Sequence, residues 1–329
     1  MSTYKAYYVE EYDEGFKSSI TELPIPDLES DKVIIQVNYS SLNYKDALSA
    51  SGNKGVTKVY PFVPGIDAVG TIYKSSSDNF KEGDEVIVTG YDMGMNTHGG
   101  FGEYIQVPSS WVIALPSNLS KKEAISFGTA GLTAAASVDS LPLDNSLDKP
   151  VVVTGATGGV GCISIGILSK LGVSVAAITG KPLATDFLND LGASSIIMRD
   201  SFVENDIKPL DKSEFSHAID TVGGEILARI ISKTDRHAVI TCCGNVNSIK
   251  LNTTVFPFIL RGIILKGIDS AEAKIEYKEY LWKKLSSDWK INMNPFIKEI
   301  SLNKLDNEIQ KILSGQQQGR IIIKHGENV

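Results

Sequence analysis

A chain of 329 residues has room for about two domains at ~100–200 residues each. Hydrophobic residues make up 42% and charged residues 22%, the balance of a soluble globular protein rather than a disordered or fibrous one. A formal net charge of −7 argues against a nucleic-acid binder, which needs a positive field, and no apolar run reaches the ~18–20 residues of a membrane span.

In chain order, the start Met1-Ser2-Thr3-Tyr4-Lys5 carries no secretory apolar region. The three cysteines are Cys162, Cys242 and Cys243, and the adjacent pair suits neither a disulfide framework nor a metal cluster. A reducing cytoplasm is the expected location. Residues 1–115 read as β-rich, with strands at Val33–Val37, Asp67–Tyr73 and Asp84–Thr89 separated by Gly-Asp, Pro-Gly and Gly-Gly pairs. Ser120-Lys-Lys-Glu123 is a capping box, followed by a small-residue helix over Gly128–Ser137.

From Val151 strands and helices alternate. Strand 151–154 leads into helix 160–171, and strand 173–179 into helix 183–191 closed by Gly192. Further strands are expected at 196–198, 217–220, 239–241 and 263–267. This spacing predicts a parallel, doubly wound sheet. A charged helical stretch then runs from Ser270 to Trp289, with a helix near 304–313 and a last strand at Gly319–Lys324.

Val151-Val-Val-Thr-Gly-Ala-Thr-Gly-Gly-Val-Gly161 reads as strand, glycine turn and helix, the arrangement that brings a pyrophosphate to bare backbone at a helix N-terminus. Either Ala156, Gly158 and Gly161 or Gly155, Gly158 and Gly161 fill the fingerprint. The plain alternative is a turn that serves only close helix–sheet packing. The second strand ends in Thr179-Gly180-Lys181 with no acid at its tip, so a 2′-phosphate and hence NADPH is expected, with Lys181 as its partner and Thr179 as a donor. Arg199 stands at the same sheet edge, and two readings of it stay open: a clamp on that phosphate or a local ion pair with Asp200.

The four histidines are His98, His217, His237 and His325, and none pairs with a cysteine at ligand spacing. No metal is expected. Hydride transfer without a metal suits an acceptor already activated, such as a double bond conjugated to a carbonyl. No G-x-S-x-G elbow occurs to anchor hydrolase chemistry.

Several blocks carry a family resemblance: Ser41-Leu-Asn-Tyr-Lys-Asp-Ala-Leu48, Pro64-Gly-Ile-Asp67, Gly128-Thr-Ala-Gly131, Thr154–Gly161, Ala218-Ile-Asp-Thr-Val-Gly223, Pro257-Phe-Ile-Leu-Arg261, Gly267-Ile-Asp-Ser270 and Gln318-Gly-Arg320. In order and over nearly the whole chain, they resemble the zinc-free quinone oxidoreductase branch of the medium-chain dehydrogenase/reductase superfamily. The match is nearest to its acryloyl-CoA reductase-like subgroup. The resemblance implies an α/β protein: a GroES-like β-rich catalytic domain over 1–120, a Rossmann doubly wound parallel-sheet domain over 121–265, and a segment 266–329 that completes the catalytic domain. It implies an active site in the cleft and a homodimer. Zinc-bearing relatives have Gly-His-Glu where this chain has Gly65-Ile66-Asp67.

The resemblance also implies residue roles. Tyr44 lies beside the nicotinamide; Thr157, Gly158, Gly159 and Val160 hold the pyrophosphate; Thr179, Gly180, Lys181 and Arg199 surround the adenosine phosphate; Ile259 and Ser270 flank the nicotinamide end. Arg236-His237 departs from the small residues of relatives, at a surface turn. Cys162 reads as a packing residue. The expected reaction is hydride transfer from NADPH to the β-carbon of an activated alkene. The resulting enolate needs a donor, for which Tyr44 is the first candidate and Asn43 the second. Tyr44 as a packing residue, and Asn43 with Asp46 as loop-holding residues, are the plainer readings. His98 is read as a loop residue, with a proton relay as the alternative. Three functions stand: reduction of acryloyl-CoA or a similar short enoyl thioester, reduction of quinones or free enones, and a non-catalytic NADPH-binding redox sensor. The partner in the first two is a small-molecule substrate.

Overall fold

The computed structural model describes residues 2–143 and 147–326. The chain opens on strands β1 (Thr3–Tyr12), β2 (Gly15–Pro24) and β3 (Lys32–Leu42), then helix α1 (Tyr44–Ala50). Strands β4 (Asp67–Ser75), β5 (Glu85–Thr89), β6 (Tyr104–Pro108) and β7 (Val112–Ala114) precede helix α2 (Lys121–Asp139). Next come β8 (Val151–Val153), α3 (Gly159–Lys170), β9 (Val175–Thr179), α4 (Thr185–Asp190), β10 (Ser195–Met198) and α5 (Arg199–Phe202). They are followed by β11 (Ala218–Asp220), α6 (Gly224–Lys233), β12 (Val239–Cys242), α7 (Phe256–Arg261) and β13 (Ile264–Gly267). The chain closes with α8 (Ile275–Leu285), β14 (Ile297–Ile300), α9 (Leu305–Leu313) and β15 (Arg320–Lys324).

Two compact units result. One comprises Met1–Thr129, Ala271–Ser286 and Asn292–Val329; the other comprises Ala130–Ser270 and Ser287–Ile291. The first holds a seven-stranded sheet in the order β14-β15-β3-β4-β5-β7, with β6 also paired to β3, and a separate β1-β2 hairpin. The hairpin escapes a hydrophobic reading because β2, GFKSSITELP, is polar and largely solvent-facing. Strand β3 explains the curl of the sheet. Its first half pairs with β6, its second half pairs with β15, and its register against β4 shifts twice. Val33, Ile35, Val37, Ile72, Val86 and Val88 fill the core beneath.

The second unit holds a six-stranded sheet in the order β10-β9-β8-β11-β12-β13, parallel at every pairing. This is the doubly wound order, whose strand sequence reverses beside β8. Val151, Val152 and Val153 are fully buried, as a strand covered on both faces requires.

Helix ends differ from the sequence expectation where punctuation intervenes. Pro182 opens a tight 3₁₀ turn over Pro182–Ala184, so α4 starts only at Thr185. The stretch expected to be helical to Trp289 stops at Leu285, where the Ser286 N–H caps back onto the Trp282 carbonyl. The Ser120–Glu123 capping box forms: Glu123 accepts the Ser120 N–H at 2.8 Å and Ser120 Oγ accepts the Glu123 N–H at 3.2 Å. Helix α2 breaks at Gly128, whose φ of 51° and ψ of −152° lie outside the helical region.

Candidate active site

In the second unit the glycine turn joins β8 to α3. Gly155 has φ +54°, and a Cβ there would sit 2.2 Å from Thr221 Oγ1. Of the two fingerprint readings, it is therefore Gly155 that makes the tight turn, while Ala156 is an ordinary buried residue. Thr157 is buried and Gly158, Gly159 and Val160 are half-buried where α3 begins. The first N–H groups of a helix have no intrahelical acceptor, so this end can receive an anion on backbone alone.

Side chains from the neighbouring strand lock the turn. Thr154 Oγ1 donates to Asp220 Oδ1 at 2.8 Å and accepts the Thr221 N–H at 2.9 Å. Thr221 Oγ1 donates to the Thr154 carbonyl at 2.9 Å, and Asp220 Oδ2 accepts the Gly223 N–H at 2.7 Å. Burial pushes the Asp220 carboxyl above its ordinary value, while these donors pull it back. At the end of β12, burial and the Asp220 carboxylate push the Cys243 thiol up to about 12 and raise Cys242 as well. Cys162 is buried in α3.

At the tip of β9, Thr179, Gly180, Lys181 and Arg199 come together. Thr179 Oγ1 accepts the Lys181 N–H at 3.1 Å, and partial burial lowers the Lys181 ammonium. The Arg199 guanidinium lies against Gly180: a Cβ on that glycine would be 2.8 Å from Arg199 Cζ. Arg199 also pairs with Asp200 at 3.1 Å, so the local ion pair forms while the guanidinium stays beside the loop. Ser270 is buried and its hydroxyl lies 2.6 Å from that of Thr133, a residue the sequence reading passed over. Ile259, on α7, is 67% exposed.

In the first unit Tyr44 is the first residue of α1 and is half-buried. Among the described residues no protein group bonds its hydroxyl, which disfavours a packing role with the hydroxyl paired to backbone. Asn43 is different, because its side chain is committed. Nδ2 donates to Asp67 Oδ2 at 2.8 Å and to Asp46 Oδ2 at 3.2 Å, and Oδ1 accepts from Arg320 Nη1 at 3.0 Å. That is the loop-holding role, not a donor waiting for substrate. His98 Nδ1 accepts the Val63 N–H at 3.1 Å while the ring stacks on Phe62, and burial lowers its basicity. This is the loop reading of His98.

Around the N-terminus of α1 lies a set of fully buried charges. Asp67 Oδ2 accepts Ser41 Oγ at 2.5 Å, and Asp67 Oδ1 accepts the Thr129 hydroxyl at 2.5 Å and N–H at 2.9 Å. Arg320 stands 3.8 Å from Asp67 and donates to Ser41 Oγ at 2.7 Å and to the Ser126 carbonyl at 3.1 Å. The break at Gly128 serves this cluster, because a Cβ there would lie 2.5 Å from Asp67 Oδ2. Among the described residues no group of three or more His, Cys, Asp or Glu side chains is placed to hold a metal ion, and no helix is long and apolar enough to cross a membrane.

The alcohol dehydrogenase GroES-like domain family matches residues 29–117. The chain is 40% identical to a Bacillus subtilis protein named "Putative quinone oxidoreductase", over 98% of this chain and 100% of that one. It is 37% identical to an Escherichia coli protein named "Probable acrylyl-CoA reductase", over 97% and 99%. This chain belongs to the quinone oxidoreductase branch of the medium-chain dehydrogenase/reductase superfamily. A Salmonella enterica oxidoreductase crystallised with NADP superposes with a TM-score of 0.94 at 36% identity, covering 98% of this chain and all of that one. A Bacillus subtilis structure with NAD bound gives the same TM-score at 39% identity and the same coverage.

Membership of this branch makes the chain an oxidoreductase and accounts for its two-part architecture. It also gives meaning to motifs that the sequence quoted without a role. Gly128-Thr129 and Arg320 belong to the buried cluster, and Asp220-Thr221 to the lock on the glycine turn.

Proposed function

We propose that this chain uses NADPH to reduce the activated C=C bond of an α,β-unsaturated carbonyl, with a short enoyl thioester such as acrylyl-CoA as the substrate. Hydride passes from the nicotinamide to the β-carbon, the carbonyl takes the developing negative charge, and the α-carbon then gains a proton. The observation that carries the cofactor choice is the tip of β9, where the strand runs into Thr179-Gly180-Lys181 with no acid in that stretch and Arg199, paired with Asp200, lies against Gly180. The substrate class is supported by the acrylyl-CoA reductase name of a relative 37% identical over nearly the full length.

In this reading Thr157–Val160 hold the pyrophosphate, Thr179, Gly180, Lys181 and Arg199 the adenosine phosphate, and Ile259 and Ser270 the nicotinamide end. The unbonded hydroxyl of Tyr44 is the donor that orients the nicotinamide or meets the enolate oxygen, where one aligned donor is worth ~10²–10³ in rate. Asn43 acts through Asp67 and Asp46 as a positioning residue.

A second reading, quinone or free-enone reduction, is favoured by the name of the Bacillus subtilis relative. Stopped-flow NADPH oxidation separates the two. Turnover with acrylyl-CoA at a kcat/KM at least ~10-fold above that with benzoquinone or methyl vinyl ketone is expected; the reverse order would replace the thioester by the quinone. Binding of NADPH with no turnover on any acceptor would favour a redox sensor.

The chain is proposed to act as a homodimer. Strand β13 is an edge of the six-stranded sheet, and Ile264 on it is 55% exposed. Val255, Phe256, Ile259 and Leu260, just before it in sequence, are also exposed. An open apolar edge strand invites a partner strand. Sedimentation velocity at micromolar concentration should give about twice the chain mass; a monomer would overturn the assembly.

A further inference from the structure

The cluster at the start of α1 holds two buried carboxylates and one guanidinium, and their geometry is unequal. Asp67 is saturated: it takes Ser41, Asn43 and both donors of Thr129, and Arg320 stands 3.8 Å away. Asp46 is fully buried and, among the described residues, has no cation in ion-pair distance. It accepts three N–H groups: Ile66 at 2.8 Å, the Asn43 backbone at 2.7 Å and Asn43 Nδ2 at 3.2 Å. Those bonds fasten the first turn of α1, and Tyr44 lies in sequence between the N-cap Asn43 and Asp46, which make two of them. They also fasten that turn to Ile66.

We infer that Asp46 is a positioning residue whose protonation state sets the seat of Tyr44: the carboxylate clamps the turn at Asn43 and Ile66, and the acid form loosens it. The charged group facing Asp46 is Asp67 on β4, which disfavours a second negative charge, while Arg320 on β15 stands 3.8 Å from Asp67. Burial first, and the Asp67 carboxylate second, push the Asp46 carboxyl up to about 7 against the pull of its three N–H donors. The acid form therefore prevails below neutrality and the clamp closes as pH rises through it. This rests on the proposed role of Tyr44, but the titration itself needs no substrate.

The test is a ¹³C NMR titration of the carboxyl carbons from pH 5 to 9, with Asp46 Cγ assigned through its own Cβ and amide. The expected result is an Asp46 midpoint near 7, with the Tyr44 ring resonances moving at the same midpoint. Asp67→Asn, which removes the neighbouring charge, should lower the Asp46 midpoint by about one unit. In Asp46→Asn the Tyr44 resonances should lose their pH dependence, and in any assay that shows turnover the change should fall on kcat more than on the KM for NADPH. An Asp46 midpoint near 4, or Tyr44 resonances indifferent to it, would overturn the inference whatever the substrate proves to be. The expected titration in an enzyme that turns over no acceptor would instead count against the proposed function alone. The wild-type titration decides even if a variant fails to fold.

Discussion

The glycine turn at Thr154–Gly161 and the buried cluster around Asp67 prepare chemistry with opposite materials. The turn presents bare backbone, and the side chains that lock it, Thr154, Asp220 and Thr221, come from the ends of two adjacent strands of one sheet. The cluster presents almost no backbone to a ligand. It gathers Ser41, Asn43, Asp46, Asp67, Thr129 and Arg320 from five separate elements and the loop residue Asn43, with Ser41 and Arg320 279 positions apart. A backbone site fails when an atom is added; a buried-charge site fails when one is removed.

The largest effect is expected in the cluster. Arg320→Met leaves the Asp67 carboxylate buried without its cation and should cost ~3–5 kcal/mol, read as a lower urea midpoint. A loss under ~1 kcal/mol would show that the hydroxyl and amide donors alone hold Asp67. Next is the turn. Gly155→Ala forces an L-residue to φ +54° and places its Cβ against Thr221. It should weaken NADPH binding by roughly 10²-fold, about 2–3 kcal/mol, in a fluorescence titration, with the circular dichroism unchanged. Unaltered affinity would mean that the turn relaxes and that backbone geometry is less strict than proposed. The smallest effect is at the loop tip. Lys181→Ala should weaken NADPH about 10-fold through loss of one charge-assisted contact and change NADH by less than ~2-fold. Equal losses for both cofactors would remove the 2′-phosphate from this loop. The test matters because one structural neighbour holds NADP and another NAD.

The same contrast explains what was readable in the chain. Val151–Val153, the glycines and the later strand–helix alternation are local patterns, and the parallel sheet follows from them, with most ends shifted by a residue or two and α4 held back to Thr185 by the turn at Pro182. The proposed roles of Tyr44, Lys181 and Arg199 rest on motif resemblance and the missing acid at the strand tip. The cluster was not. Asp46 looks like a loop cap, and Gly128 and Arg320 look like isolated small or charged residues until β3, β4, α2 and β15 meet. For Asn43 the donor reading and the loop-holding reading were both open, and its amide, already shared between two carboxylates, favours the second. Nothing local in β2 announced a strand, because a mostly exposed polar hairpin arm carries little hydrophobic signal.

Under the proposed function, the raised thiols at the end of β12 bear on the lifetime of a protein that would meet acrylyl groups or quinones. Such acceptors are electrophiles that alkylate thiolates, and only the deprotonated sulfur adds quickly. Burial and the Asp220 carboxylate keep Cys242 and Cys243 protonated at neutral pH, and Cys162 is enclosed in α3. Under the proposed function, the Cys242 and Cys243 thiols would meet Michael acceptors in their slow-reacting protonated form.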